Sequence, residues 1–310
     1  MPAAAALASP EPSDATIRRI ASFVNGFSLE ATRPDSASIA ALQGIVPAGT
    51  AVYLTAVPGH LLSSAIEPAK RLRAAGLEPV PHLAARSIAS PAMLDELLSG
   101  FAEEAGVRRI LVVAGDRDRP AGPFASAIEV IECGLLQRHG ITEVGIAGYP
   151  EGHPRIAPLI LEQALAAKVE AAEQTGLAVH VVTQFCFDVA AVLEWLTRLR
   201  NRGIEHPVRV GMAGPTSISN LLRYAQRCGV RASAQGLARH GGLLKHLVGS
   251  SAPDGIVRPL ADAATEGRLG LVTPHFYSFG GPVATGRWAA ATQAGHVVLD
   301  RTDGFSVEPT

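Results

Sequence analysis

Cysteine is scarce in this sequence, with three residues among 310, at Cys133, Cys186 and Cys228. They are too few and too scattered for a disulfide framework, and no two of them form a Cys-x-x-Cys pair of the kind that binds structural zinc. Because both patterns are missing, we expect free thiols in a reducing compartment and therefore a cytoplasmic protein.

The sequence also lacks an excess of charge of either sign. Lysine and arginine number 27 against 28 aspartate and glutamate residues, which gives a net charge of −1. Nucleic acids and anionic membrane surfaces are bound through a basic field, so we expect neither as a partner. Long apolar runs that could span a bilayer are missing as well. We expect a globular protein with a small-molecule partner, and the composition is compatible with a homo-oligomer.

The N-terminal stretch MPAAAALASPEPSDA is apolar at first but has no basic region, and three prolines interrupt it. A secretory signal peptide begins with basic residues and continues into an unbroken apolar segment. We therefore predict a flexible tail over residues 1–16 and one catalytic domain over residues 17–310.

What the sequence does contain is a regular alternation of short apolar runs with helical segments. Residues 61–76 and 157–176 are examples of the helical segments, and the second ends at Gly176, where a glycine C′ residue is favoured. Eight such units predict a (βα)8 TIM barrel in a single α/β domain, with an open doubly wound sheet as the alternative. The predicted strands are 23–30, 50–56, 78–84, 108–115, 143–149, 178–185, 207–214 and 268–277.

Polar side chains stand at seven of the predicted strand ends, where TIM barrels carry their chemistry. Two carboxylates in a partly desolvated barrel mouth raise each other's pKa, so Glu30 and Asp116 form a candidate acid pair. The alternative for Glu30 is an ion pair with Arg33 or a turn cap, and the alternative for Asp116 is a surface turn. The seven residues are Glu30, Thr55, His82, Asp116, Tyr149, Gln184 and His275.

Histidines near these ends can act as metal ligands, proton carriers or hydrogen-bonding partners of a cofactor. No His-x-His or His-Glu-x-x-His spacing occurs, so a metal site is not expected, although a metal-dependent hydrolase using His82, His153 and His275 is a third hypothesis. No Gly-x-Gly-x-x-Gly follows a strand, which argues against a Rossmann site.

Two further residues have both a functional and a structural interpretation. Gln184, in TQFCFD, can donate and accept hydrogen bonds at once, which suits a carboxamide or a pterin edge. Its alternative is a buried amide satisfied by the backbone. Tyr224, in NLLRYAQRCG, taken alone is expected to be a core residue.

Six motifs, taken in order, resemble the methylenetetrahydrofolate reductase family over about residues 23–279. They are GFSLEATRPD, PHLAARS, ILVVAGDRDRP, IAGYPEGHP, KVEAAEQTGLAVHVVTQFCFD and PHFY. The resemblance implies a flavoprotein oxidoreductase of one-carbon metabolism and methionine biosynthesis. It implies that NADH or NADPH and then 5,10-methylenetetrahydrofolate use one bound FAD in turn, by ping-pong hydride transfer that gives 5-methyltetrahydrofolate. The physiological direction stays open, and we expect no regulatory domain after the barrel.

The resemblance also implies roles for individual residues. Glu30 matches the family's proton donor, and Asp116 matches an acidic residue beside flavin and folate that can stabilise a cationic iminium. Gln184 and Tyr224 match or neighbour positions that contact the substrate. The residues that match or neighbour FAD-binding positions are Thr55, His82, Gly115, Asp116, Tyr149, His153 and Lys168.

The sequence departs from the family pattern at several positions. Ala114 replaces the arginine of the fourth-strand motif, and Leu161 and Ala164 replace polar residues upstream of Lys168. After PHFY the chain continues with SFGG, where the family has Asn and Arg. We expect weaker or differently distributed FAD contacts and an altered folate geometry. The alternative function is a non-catalytic or catalytically impaired barrel that binds folate or flavin.

Overall fold

The computed structural model describes residues 12–227, 250–301 and 304–308. Eight parallel strands close into one barrel, in which each strand pairs with the next and the last pairs with the first. This confirms the predicted TIM barrel and excludes the open sheet. The barrel strands are β1 (Ser28–Ala31), β2 (Ala51–Leu54), β3 (Glu78–Ala84), β4 (Arg109–Val113), β5 (Glu143–Gly148), β6 (Ala178–Thr183), β7 (Val208–Ala213) and β10 (Val272–Tyr277).

Helices cover the outside of the barrel. A 3₁₀ turn (Leu62–Ala65) leads into α3, and α4 continues into a π-helical turn (Gly100–Glu104). Among the described helices, none is both long and apolar enough to cross a membrane. The helices are α1 (Pro12–Val24), α2 (Ser36–Gln43), α3 (Ile66–Ala74), α4 (Pro91–Ser99), α5 (Ala127–Glu132), α6 (Leu135–Arg138), α7 (Pro158–Gln174), α8 (Val189–Asn201), α9 (Ile218–Arg227), α10 (Asp254–Ala264) and α11 (Pro282–Gln293).

The N-terminal boundary differs from the prediction. Helix α1 begins inside the segment 1–16 that was predicted to be a tail, and it ends inside the predicted strand 23–30. Ile20 and Val24 are both fully buried, and their spacing of four residues places them on one helical face. Gly26, at φ 77°, then turns the chain into β1. The apolar run therefore contains a helix end, a turn and a strand.

Two short antiparallel pairs accompany the barrel. β8 (Thr216–Ser217) pairs with β9 (Ser250–Ser251) in the connection between β7 and β10, where extra helices were expected and α9 and α10 occur. After α11, β11 (Val297–Leu299) pairs with β12 (Phe305–Val307). Cys133 and Cys186 are free thiols, while Cys228 falls outside the described residues.

Side-chain caps set the helix ends close to the barrel. Asp35, Ser90 and Asp188 each accept a backbone N–H from the first turn of α2, α4 and α8 respectively. Such caps satisfy donors that a helix cannot pair internally. Gly176 follows the end of α7 with φ 74°, which confirms the predicted C′ glycine.

The apolar core has two parts. Its larger part lies between the strands and the surrounding helices, and residues such as Val52, Leu83 and Phe276 belong to it. A smaller cluster fills the barrel interior, from Ala51, Tyr53, Val80, Leu111 and Val182. Because alternate strand residues face inward, the remaining inward positions are free to carry polar side chains.

Candidate active site

Glu30 lies in β1 and faces the barrel mouth, which is the end of the barrel where the strands terminate. Its side chain is 11% exposed. Thr55 donates a hydrogen bond to Glu30 Oε1 at 2.9 Å, while His275 Nε2 and His82 Nε2 lie 3.4 and 3.7 Å from Oε2. Ser28 Oγ lies 2.9 Å from His275 Nδ1. We call these five residues the acid cluster.

The structure rejects the proposed ion pair between Glu30 and Arg33. The Arg33 side chain instead contacts His60, with Nη1 and Nε2 separated by 2.8 Å. Arg33 also adopts φ 49°, an unusual conformation for a non-glycine residue, and this directs its backbone away from an extended continuation of β1. Glu30 therefore has two titratable histidines, His82 and His275, beside it rather than a permanently charged arginine.

The direction of the Glu30 pKa differs from the expectation. Burial raises the pKa of Glu30, but the charge of His82, the hydrogen bond and charge of His275 and the Thr55 hydrogen bond together lower it below its usual value. Burial also lowers the pKa of His82 and of His275, because an imidazolium is poorly solvated there. In the ligand-free protein these shifts favour an ionised Glu30 carboxylate beside two neutral imidazoles.

Asp116 does not form the predicted acid pair with Glu30. It is exposed in the loop after β4, and it is not among the groups that act on the Glu30 pKa. Its charge acts on Tyr149 and His153, whose rings meet nearly perpendicularly at 5.4 Å. The predicted residues after β4 and β5 thus gather on one side of the mouth, and the acid cluster occupies another.

Lys168 reaches from α7 to the end of β5. Its ammonium lies 3.3 Å from the Ala147 carbonyl oxygen, and within the described chain no acidic group forms an ion pair with it. Burial lowers the pKa of Lys168 to about 8. A buried cation without an anionic partner is unfavourable, so this position is suited to an anionic group of a ligand.

His82 at the mouth has a buried nitrogen that a ligand could satisfy, whereas the glycine at position 115 is required by its backbone conformation and by packing against Ala84. His82 Nε2 is buried and has no hydrogen-bond partner in the described chain. Gly115 has φ 88°, and a Cβ at this position would come within 3.1 Å of the Ala84 Cβ. Thr55 and His82 also line one pocket together with His60 and Leu61. A larger residue than glycine would be strained at 115, and a polar ligand atom could satisfy His82.

The predicted substrate residues lie in an aromatic part of the mouth. Gln184 Oε1 accepts the Phe185 backbone N–H at 3.0 Å, so its side chain folds back on its own turn. Tyr224 is half-buried and stacks on Phe279, with ring centroids 4.2 Å apart and planes inclined by 11°. Phe279 also contacts Phe185 and Tyr277. A stack of this kind presents planar apolar surface to an aromatic ligand.

Three polar side chains form a row inside the barrel that was not predicted from the sequence. Tyr53 OH lies 2.7 Å from His180 Nε2, and His180 Nδ1 lies 2.7 Å from Glu143 Oε1. This last contact is close but poorly aligned for a hydrogen bond. We call Tyr53, His180 and Glu143 the floor triad. The sequence did contain a signal for this row. Tyr53 lies two residues before Thr55 and His180 lies four residues before Gln184, and side chains separated by an even number of residues in a strand lie on the same face.

The floor triad makes stability depend on pH. Burial lowers the pKa of His180 from 6.5 to about 4, although Glu143 acts in the opposite direction. Below about pH 6.5 the His180 side chain binds a proton in the unfolded chain but not in the folded protein. Protonation therefore favours unfolding, so the His180 contribution to the free energy of unfolding is complete above pH 6.5 and is lost as the pH falls to about 4. We expect the free energy of unfolding to fall across this window, by on the order of 1.4 kcal/mol for each pKa unit of difference.

Denaturant unfolding of the wild type and of His180→Gln across this window checks the prediction. The free energy of unfolding should depend less steeply on pH in His180→Gln than in the wild type. Part of the dependence should remain, because the pKa values of His82 and His275 are also lowered in the folded protein. The exposed His296, changed to Gln, serves as a matched control and should keep the full slope. Equal slopes in His180→Gln and the wild type would contradict the prediction.

The proposed metal site does not assemble. His82 and His275 both belong to the acid cluster, but His153 lies against Tyr149. Within residues 12–227, 250–301 and 304–308, no group of three or more His, Cys, Asp or Glu side chains could hold a metal ion. This arrangement gives no support to the metal-dependent hydrolase hypothesis.

Comparison with known proteins identifies relatives. The model of the methylenetetrahydrofolate reductase family matches residues 38–239. The 5,10-methylenetetrahydrofolate reductase of Pectobacterium carotovorum is 29% identical over 213 residues, covering 66% of this chain and 65% of that protein. Methylenetetrahydrofolate reductase 2 of Saccharomyces cerevisiae is 30% identical over 162 residues, covering 49% of this chain and 26% of that protein.

These matches cover only part of the relatives, slightly less than two thirds of the bacterial protein and about a quarter of the yeast protein. Among solved structures, dihydropteroate synthase from Thermus thermophilus is 18% identical, with a TM-score of 0.45 over 85% of this chain and 91% of that one. The family match contains the loops after β2 to β6 but does not reach Glu30 or His275. The assignment of a role to the acid cluster therefore depends on the geometry of its residues.

Proposed function

Because the chain belongs to the methylenetetrahydrofolate reductase family, we propose that it is a flavin-dependent 5,10-methylenetetrahydrofolate reductase that uses NADH or NADPH. One observation carries this proposal: a buried carboxyl group, Glu30, lies at the barrel mouth within reach of Thr55 and two imidazoles. Opening the imidazolidine ring of the substrate requires a proton on the departing nitrogen, and Glu30 is the group positioned to supply it.

The acid cluster can deliver this proton although the pKa of Glu30 is lowered in the ligand-free protein. A ligand that covers the mouth removes water from Glu30, which disfavours the carboxylate and raises the pKa of this group. Glu30 then takes up a proton from solvent as the substrate binds, and passes it to the substrate nitrogen. His275 is held by Ser28 through Nδ1, so its Nε2 stays directed at Glu30 during this transfer.

The residues at the mouth fit the flavin that this function requires. Lys168 would pair with its pyrophosphate, and His82 Nε2 would gain a hydrogen-bond partner. When bound, FAD accepts a hydride from the nicotinamide and passes it to the folate. The apolar Leu161 and Ala164 leave Lys168 as the main charged contact on its face of α7.

Folate recognition belongs to the other side of the mouth. Tyr224 and Phe279 offer an aromatic surface, and Gln184 lies beside them in the turn after β6. Asp116, exposed in the loop after β4, can stabilise the positive charge that the iminium carries before hydride arrives. The alternative is a barrel that binds folate or flavin without efficient turnover, which the replacements at Ala114, Leu161 and Ala164 favour.

The visible spectrum of the purified protein, reconstituted with FAD, tests this function. We expect a flavin band that bleaches when NADH or NADPH is added and returns when methylenetetrahydrofolate is added. A protein that binds no FAD would contradict the flavin assignment. Binding without bleaching, or bleaching that folate does not reverse, would favour the non-catalytic alternative.

A further inference from the structure

The interior of this barrel is unusual in its polarity. TIM-barrel interiors are filled mainly by branched aliphatic side chains. Here the fully buried Tyr53 and the 1% exposed His180 form a line with Glu143, at 2.7 Å for each contact. Arg109 Nε and Nη2 both lie 2.6 Å from Glu143 Oε2 and anchor the line at the N-terminal ends of β4 and β5. The floor triad thus runs away from the mouth, beneath the acid cluster.

The protons of the floor triad occupy fixed positions at neutral pH. Burial raises the pKa of Tyr53 to about 12, so its hydroxyl keeps its proton. Burial alone would raise the pKa of Glu143, but His180 and Arg109 lower it to about 2. With His180 neutral, Tyr53 donates to Nε2 and the Nδ1–H faces the Glu143 carboxylate. The triad has one arrangement of donors and acceptors, and it does not need to titrate to keep it.

Apolar residues would fill this space more simply. Phenylalanine at 53 and an aliphatic residue at 180 would avoid the desolvation of a hydroxyl and an imidazole. The chain also makes room for the imidazole, because a Cβ at Gly145 would lie 2.7 Å from His180 Nε2. The buried hydrogen bond between Tyr53 and His180 holds these two side chains in a single orientation, which a purely apolar contact does less strictly.

The Tyr53 ring links this network to the acid cluster. It meets His275 nearly perpendicularly, at 4.7 Å and 74°, and it meets His82 at 6.1 Å and 75°. Tyr53 is also the register partner of Glu30 on the neighbouring strand. The hydroxyl of Tyr53 fixes the ring from below, and the ring fixes the two imidazoles that face Glu30.

We propose that the floor triad is a positioning device: it holds the Tyr53 ring, and through that ring it sets the orientation of His275 and of the His275 Nε2 atom toward the Glu30 carboxyl group. The inference deepens the proposed function and rests on its acid chemistry. The other groups that face His275 are Ser28 and Glu30 on β1, Tyr277 on its own strand, and the charges of His82 and Arg209. Tyr53 is thereby a positioning residue and not a catalytic one.

Tyr53→Phe separates the hydroxyl from the ring. It keeps the ring against His275 but removes the hydrogen bond to His180, and we expect it to slow the folate half-reaction by about tenfold and to shift its pH profile. Tyr53→Leu also removes the ring and should slow that half-reaction by about a hundredfold. Val182→Ala removes apolar volume from the same interior cluster without touching a polar atom, so it should leave the pH profile unchanged.

A second readout does not depend on turnover. In protein labelled with ¹⁵N-histidine, with the His275 signal assigned by its loss in His275→Gln, Tyr53→Phe should move the titration midpoint of His275 by roughly 0.5 pH units or more. Val182→Ala should not. An unchanged His275 titration in Tyr53→Phe, or an equal change in Val182→Ala, overturns the inference even if the wild type is an active reductase. A wild type without folate turnover refutes the proposed function, while the His275 titration still decides the inference.

Discussion

Glu30→Gln should slow the oxidation of reduced flavin by methylenetetrahydrofolate by about a hundredfold or more, because it removes the transferable proton. The substitution preserves the size of the side chain, and an amide oxygen can still accept the Thr55 hydrogen bond. Reduction of the flavin by NADH or NADPH needs no proton transfer to folate, so it should stay near the wild-type rate. Stopped-flow measurement of the two half-reactions separately checks this expectation.

The exposed Glu67, which pairs with Arg71 on α3, supplies a matched control. Glu67→Gln should leave both half-reactions unchanged. Equal slowing of both by Glu30→Gln would indicate a structural role for Glu30. A folate half-reaction that keeps its wild-type rate would eliminate Glu30 as the acid and leave His275 as the next candidate in the acid cluster.

Lys168→Met should weaken flavin binding by about tenfold to a hundredfold, the range expected for one charge-assisted hydrogen bond of roughly 1.5–3 kcal/mol. The contact matters because the polar neighbours on α7 are replaced by Leu161 and Ala164, which cannot share the negative charge of the pyrophosphate. Titration of the protein with FAD, followed by the quenching of flavin fluorescence, measures the effect.

The flavin-free protein should respond to Lys168→Met in the opposite direction. Its half-buried ammonium contacts one carbonyl oxygen, and methionine removes the desolvation penalty while filling similar space. We therefore expect an unchanged or higher melting temperature without flavin. Lys70→Met, at a half-exposed position on α3, should change neither flavin affinity nor melting temperature. An unchanged flavin affinity in Lys168→Met would exclude Lys168 as the phosphate partner.

Together these predictions assign different functions to two parts of the mouth, the acid cluster and the site of Lys168. Glu30 and its imidazole neighbours handle a proton, and Lys168 handles a fixed negative charge. A variant in one part should leave the binding or the half-reaction assigned to the other part intact. Double variants that combine Glu30→Gln with Lys168→Met should show nearly additive effects, since the two residues share no described contact.

The sequence by itself determined the architecture. Eight apolar runs at regular intervals, each followed by a helical segment, specify parallel strands covered by helices, and closure into a barrel leaves no strand edge exposed. The prediction failed at the first run, because Phe23 and Val24 are apolar in a helix just as they would be in a strand. Short apolar runs do not reveal their own period, and only the helical spacing of Ile20 and Val24 resolves this one.

The sequence also determined where the acid stands. Glu30 follows an apolar residue at the end of a buried strand, and the carboxyl ends of barrel strands meet at one mouth. Lys168 and His82 were likewise placed at that mouth, and their contacts are consistent with a ligand site. Their roles toward a ligand stay predictions until the proposed measurements are made.

Only the tertiary structure decided which groups surround the acid. His275 lies 245 residues from Glu30 along the chain, and Tyr53 lies 127 residues from His180. Barrel closure brings the first and last strands side by side. No local sequence pattern encodes the strand register that places atoms of two side chains 2.7 or 3.4 Å apart. For the same reason the predicted pairing of Glu30 with Asp116 and the predicted direction of the Glu30 pKa were both wrong. A pKa depends on burial and on charges within a few ångströms, and both quantities exist only once the barrel has closed.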